Sequence, residues 1–275
     1  MARAGLVTRS DIAPGVSSSV PAARALVQAG KLADAAALLA KATDDSAAQF
    51  LLSQVAQRKG DFDGMLTAAR RALQLDESNW DSRFRFLECH LYCGRADVVR
   101  AKLLAFESDA SDQHATLARL AEFHVHCLDH EGAMRCLDMA LHLSPDNANY
   151  LFSRAASELA LGNIDRAEKS LDRVIELRPA DCDAWRNRST LRRRTAADST
   201  IGGIEAQLRR VTPGTAGEAQ LYYALAKELE DIGEFADSFV ALKRGADVRR
   251  GLLSYRVEHD LEVMQELRRT FTAEQ

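Results

Sequence analysis

Apolar residues recur along this chain at helical spacing. The plainest stripe is Leu253, Val257, Leu261, Met264 and Phe271, three or four residues apart with one omission, which predicts an amphipathic helix. Further upstream a longer rhythm appears. Small or apolar residues return at Ala35, Met65, Val99, Ala133, Ala167, Ile201 and Ser238, and from Met65 to Ile201 every step is 34 residues. The outer steps are less regular, 30 residues before Met65 and 37 after Ile201. Pro145, Pro179 and Pro213 keep the same 34-residue interval, where each would stop a helix by lacking an amide donor and pushing its predecessor towards extended backbone. Gly30, Gly60, Gly94, Gly162 and Gly233 fall five residues before the small positions, where a helix end needs backbone of positive φ. The pattern predicts helix hairpins in tandem, whose apolar stripes are buried only by stacking.

The segments 60–75 (GDFDGMLTAARRALQL), 129–147 (DHEGAMRCLDMALHLSPDN) and 162–179 (GNIDRAEKSLDRVIELRP) resemble tetratricopeptide repeats almost residue for residue. The resemblance covers roughly residues 20–250, specific in the centre and degenerate at the edges. It implies an all-α fold, a right-handed superhelical solenoid of hairpins with a C-terminal capping helix. Residues 1–17, rich in Gly, Ser and Pro, are expected to be a disordered lead-in. Residues 18–251 are expected to form about seven hairpins, and 252–275 a helix covering the last of them. Ala133 and Ala167 match the family's alanine at the hairpin contact, whereas Met65, Val99 and Ile201 are larger, so those hairpins must splay or repack.

Composition narrows the partners. With 36 basic against 40 acidic side chains and a net charge of −4, no strong attraction to nucleic acid or an anionic membrane surface is expected. No apolar run approaches the ~20 residues needed to span a bilayer. Residues 1–20 contain no secretory apolar core, and the five cysteines show no framework spacing, so reduced thiols and a cytoplasmic location are expected.

The C-terminal third carries a second resemblance. Residues 221–239, 242–246 and 253–271 look like the last repeat and exit helix of bacterial tetratricopeptide-repeat sulfotransferases. That family implies a following α/β domain that binds phosphoadenosine phosphosulfate. A site for that donor needs a strand, a Gly-rich loop and a helix N-terminus, and Gly202-Gly203 is the only glycine pair present. This chain is therefore expected to be non-catalytic, with no cofactor, no metal and no catalytic residue carried over. The alternative is that it belongs to an enzyme, a sulfotransferase whose catalytic domain follows residue 275.

Two clusters have competing readings. His124, His126, Cys127, His130, Cys136 and His142 crowd one hairpin, with Cys89, His90 and Cys93 in its neighbour. His126 and His130 share a helix face, as do Cys89 and Cys93, a spacing able to chelate a metal. His90 and His124 instead occupy a position that the family keeps buried. Arg186, Arg188, Arg192, Arg193 and Arg194 form the densest basic run. The first reading is a solvated face balanced by Glu176, Asp181 and Asp183, and the second is an anion-binding patch.

The resemblance also places a partner. In the family the first helix of each hairpin lines a concave groove, through repeat positions two, five, nine, twelve and thirteen. Carried onto this register, those positions give a candidate groove of Phe50, Gln54, Phe84, Glu88, Tyr92, Glu122, His126, Phe152, Arg186 and Arg193. Phe50, Phe84 and Phe152 would form an aromatic ladder suited to an extended or helical peptide, unless the rings pack sideways between hairpins. Glu88 and Glu122 would repel an acidic C-terminal tail. The expected partner is a protein or peptide, with self-association through an end hairpin as a further expectation.

Overall fold

The structure is a computed structural model and describes residues 19–271. The lead-in predicted for 1–17 lies outside the described residues. Fifteen α-helices and no strand occur among them. The chain divides into two compact units after Cys136.

The first unit contains α1 (Ser19–Gln28), α2 (Leu32–Leu39), α3 (Ser46–Arg58), α4 (Phe62–Leu75), α5 (Trp80–Tyr92), α6 (Ala96–Asp109), α7 (His114–His126) and the beginning of α8 (His130–Leu143). Short polar side chains start several of these helices. Asp45 accepts from the amides of Ala47 and Ala48, Asp61 from Gly64, and Asn79 from Ser82, each satisfying an N–H that has no partner within its helix. The helix ends are equally local. Gly30, Gly60 and Gly94 have φ between 70° and 75°, and the amide that follows Gly60 bonds back to the carbonyl of Ala56 at 2.9 Å. Between α7 and α8 the same turn is made by Leu128, at φ 59°, with the Asp129 amide bonded to the His124 carbonyl at 2.9 Å. A leucine here does the work of a glycine, which is why the glycine rhythm skips this hairpin.

Ala35, Met65 and Val99 are fully buried. Met65 stands where the repeat has alanine and shares its buried cluster with Ala56, Leu66, Ala69 and Cys89, mostly small residues that leave it room.

The second unit contains the rest of α8, then α9 (Ala148–Ala160), α10 (Ile164–Leu177), α11 (Cys182–Thr190), α12 (Ile201–Leu208), α13 (Ala216–Asp231), α14 (Phe235–Gly251) and α15 (Val257–Thr270). Ala167 is fully buried against Leu151, Ala155 and Leu171. The α11–α12 pair departs from the expected register. Ile201 is only half-buried at the start of α12, while Ile204 is fully buried and Gly203 lies against the Trp185 ring. A Cβ on Gly203 would stand 2.6 Å from Trp185 Cη2, so the indole has taken the space that a tight turn and a small contact residue serve elsewhere. Residues 191–200 form a long connection in place of that turn.

Three arginines of the run, Arg188, Arg192 and Arg194, are held in ion pairs at this connection and so belong to neither a solvated face nor an anion patch, while Arg193 is exposed. Arg188 and Arg194 are buried, and Arg188 pairs with Asp172 at 2.6 Å and with Glu168 at 3.4 Å. Arg194 pairs with Glu168 and donates to the Arg188 carbonyl at 2.9 Å, and Arg192 pairs with Asp165 and Glu168. The fully buried Glu228 accepts from the Thr200 amide and hydroxyl. The expected counter-charges are occupied elsewhere, Glu176 by Arg173 and Asp181 by Arg178.

The exit helix also differs from its expected capping role. No residue of α15 is buried. Its apolar stripe and the outer face of α14 both remain in solvent.

Candidate functional site

In the first unit, α5 and α7 lie side by side and enclose a cleft of about 540 Å³. Glu88, Leu91 and Tyr92 line it from α5, and Arg119, Glu122, Phe123 and His126 from α7. The aromatic floor is fixed by the core. Phe84 stacks on Phe123 with centroids 5.9 Å apart and planes 6° from parallel, and it also meets the Trp80 ring at 5.5 Å. Arg119 covers the Phe84 ring, Cζ 3.9 Å from its centroid, and donates to Glu88 Oε1 at 2.7 Å. Arg85 approaches the other Glu88 oxygen at 3.8 Å while anchored to Ser53 Oγ at 2.7 Å. Tyr92 stands at the rim, 60% exposed, with the Phe62 ring 5.6 Å from its own.

Four of the residues predicted for a groove are thus gathered here: Glu88, Tyr92, Glu122 and His126. Phe84 is a correction, because it is 4% exposed and packs sideways between α5 and α7 instead of rising into a groove. Phe50 and Gln54 are half-buried on α3. Phe152, Arg186 and Arg193 belong to the second unit, where Phe152 packs half-buried beside the α9–α10 core and the Arg193 guanidinium donates to the Asp231 carbonyl at 3.3 Å. The aromatic ladder is therefore not a set of equivalent exposed rings. Arg119 and Phe123 lie outside the repeat positions that placed the groove, whereas Leu91 occupies one of them, position twelve, without having been named. Arg119 follows position five by one residue, and only its charge opposite Glu88 could have signalled it.

The electrostatics of the cleft are simple. Glu88 is neutralised by Arg119 and Arg85, whereas Glu122 is exposed and no ion pair to it occurs among the described residues. The cleft consequently offers an apolar floor, a phenol and a free carboxylate.

Behind α7 lies a different arrangement. His124, buried, is hydrogen-bonded through Nε2 to Glu107 Oε1 at 2.6 Å and through Nδ1 to Asp129 Oδ2 at 2.8 Å. Burial alone would raise the Glu107 carboxyl, but the hydrogen bond and charge of His124, aided by Arg135, hold it below the usual range. Asp129 is likewise lowered against its burial, by the Gly132 amide it caps and by His124. Glu107, His124 and Cys136 each offer a ligand atom and these lie within 4.8 Å of one another. Both imidazole nitrogens are taken by carboxylates, however, and burial pushes the Cys136 thiol up to about 12, so Glu107, His124 and Asp129 form a closed hydrogen-bond chain with a protonated thiol beside it. Cys89 is pushed up to about 11 by burial. His90 is lowered by burial and then by Arg95 and Arg70, with its ring 4.3 Å from Phe86.

Comparison with known proteins fits the fold. Residues 148–181 match the family model of the tetratricopeptide repeat. A tetratricopeptide repeat protein from Parabacteroides merdae is 16% identical, with a TM-score of 0.54 over 91% of this chain and 97% of that one. The C-terminal part of a repeat-containing protein from Cytophaga hutchinsonii is 11% identical, with a TM-score of 0.62 over 85% and 99%. The fold is all-α, of the tetratricopeptide-repeat class. No curated protein matches the sequence. No described helix is long and apolar enough to cross a membrane.

Proposed function

We propose that this chain is a non-catalytic scaffold that docks a peptide, with the α5–α7 cleft as its principal contact. The observation that carries this reading is the pairing of an exposed tyrosine with a free carboxylate above a preformed aromatic floor. Such a cleft takes an apolar side chain onto Phe123 and Tyr92 and a neighbouring lysine or arginine onto Glu122. An acidic C-terminal tail is disfavoured by the same carboxylate. Burial pushes the Cys89 and Cys136 thiols up and the His90 ring down, so all three favour the neutral form, which suits binding rather than chemistry. A cytoplasmic setting belongs to this reading and is supported by five free thiols.

A place within a sulfotransferase-type protein rests on the resemblance of residues 221–239, 242–246 and 253–271 alone. A parent reading frame continuing past Gln275 into a strand and a Gly-rich loop would establish it. Self-association through an end hairpin is a separate part of the proposal, supported by the exposed apolar face of α14.

The cleft is tested with two labelled peptides, one placing leucine beside arginine and the other leucine beside glutamate. The first should bind and the second should not. Tyr92→Ala should abolish the anisotropy change, and Glu122→Lys should invert the preference. Binding that ignores both substitutions would overturn the assignment.

A further inference from the structure

The two last helices carry matching unpartnered faces. Phe235, Phe239 and Leu242 lie at i, i+4 and i+7 along α14, and each is about half exposed or more. Val257, Leu261 and Met264 repeat that spacing along α15, again exposed. In a tandem array the outer face of a hairpin's second helix is covered by the first helix of the next unit, running antiparallel to it.

Charge selects the same orientation. Basic residues gather towards the end of α14, at Lys243, Arg244, Arg249 and Arg250, with Lys243 already paired to Asp247 at 2.7 Å and Asp237 near the helix start. On α15 the order is the same: Glu258, Asp260 and Glu262 come first, and Arg268 and Arg269 last. Laid antiparallel, the acidic start of α15 meets the basic end of α14 and its basic end meets Asp237. Within one copy this contact is not made, since no residue of α15 is buried. The Tyr255 hydroxyl instead donates to Asp260 Oδ2 at 2.6 Å, tying the connecting segment to α15 itself.

We infer that α15 of one copy docks antiparallel on α14 of a second copy, and reciprocally, closing a two-fold dimer by exchange of the exit helix. Both apolar stripes are then covered, and the closed symmetry stops further growth. This deepens the self-association reading above and is independent of the peptide cleft.

Sedimentation velocity of the full chain through the micromolar range should show twice the chain mass. Phe239→Glu and Leu261→Glu alter exposed side chains, so each should give a monomer of unchanged helicity by circular dichroism. Mixing the two variants should restore a partial dimer, because one donor helix and one acceptor face remain intact. A dimer surviving Leu261→Glu would mean that α14 pairs with itself, and one surviving Phe239→Glu would mean that α15 does; either overturns the exchange. A wild-type chain that stays monomeric at every concentration overturns it too. Peptide binding at the cleft, read in the same samples, reports separately on the groove.

Discussion

Arg119 lies over Phe84, its guanidinium carbon 3.9 Å from the ring centroid. The ring belongs to the core and the cation to the cleft, so one contact joins stability to recognition. At a partly exposed site such a pair contributes about 0.5–1 kcal/mol, and the Arg119–Glu88 ion pair adds roughly 0–1 kcal/mol.

Truncating the ring should therefore be far more damaging than truncating the cation. Phe84→Ala is expected to destabilise by about 3–5 kcal/mol, the range for a large buried side chain. Arg119→Ala should leave the melting temperature nearly unchanged while altering peptide affinity. Calorimetric melting of both variants checks this, and similar small shifts would return Phe84 to the surface.

Leu128 is held at positive φ while 82% exposed, so its side chain gains little from packing. Left-handed backbone costs a residue with a Cβ about 1–2 kcal/mol, part of which glycine returns through its freer unfolded chain. Leu128→Gly is expected to raise stability by roughly 0.5–1 kcal/mol. An unchanged or lowered urea midpoint would contradict the strain.

The lowered carboxyls of Glu107 and Asp129 imply a direction for acid sensitivity. Both bind protons less readily when folded than when unfolded, so their stabilisation is complete above the ordinary carboxylate range, near about pH 4. It is lost as pH falls through the folded values. Urea midpoints taken from neutral pH downward should decline over that window, and His124→Gln should flatten the decline. Superimposable profiles would remove His124 as the cause.

Arg194, buried with Glu168, should be among the least replaceable charges. Arg194→Ala leaves the Arg188 carbonyl without that donor and Glu168 to Arg188 and Arg192 alone, a change expected to cost about 1–3 kcal/mol. Chemical denaturation measures it. Arg192→Ala, more exposed, should cost less, and equality of the two would argue against the buried network.

The regular hairpins were legible because their determinants are local: a glycine at the turn, a small residue five positions on, a capping aspartate or asparagine. Gly60 and Ala167 needed no tertiary context. Leu128 was not legible, since an exposed leucine here holds a left-handed backbone that its own chemistry opposes. The register slip at Gly203 arises from the bulk of Trp185, and the arginine run from carboxylates 16 to 40 positions away in sequence, so repeat counting sees neither. Within the cleft, position in the repeat found Glu88, Tyr92, Glu122 and His126. It misplaced Phe84 because equivalent positions need not have equivalent neighbours, and here Trp80 and Phe123 close over the ring.

Met65 amid Ala56, Ala69 and Cys89 bears on how such a molecule could be rebuilt. Its volume is shared out among the surrounding helices, so the α3–α4 hairpin is not an interchangeable part. Transplanting it beside partners cut for alanine would jam the joint, and inserting an alanine-bearing hairpin in its place would leave a hollow. Shuffling or duplicating units in this chain would have to move whole sets of neighbours together.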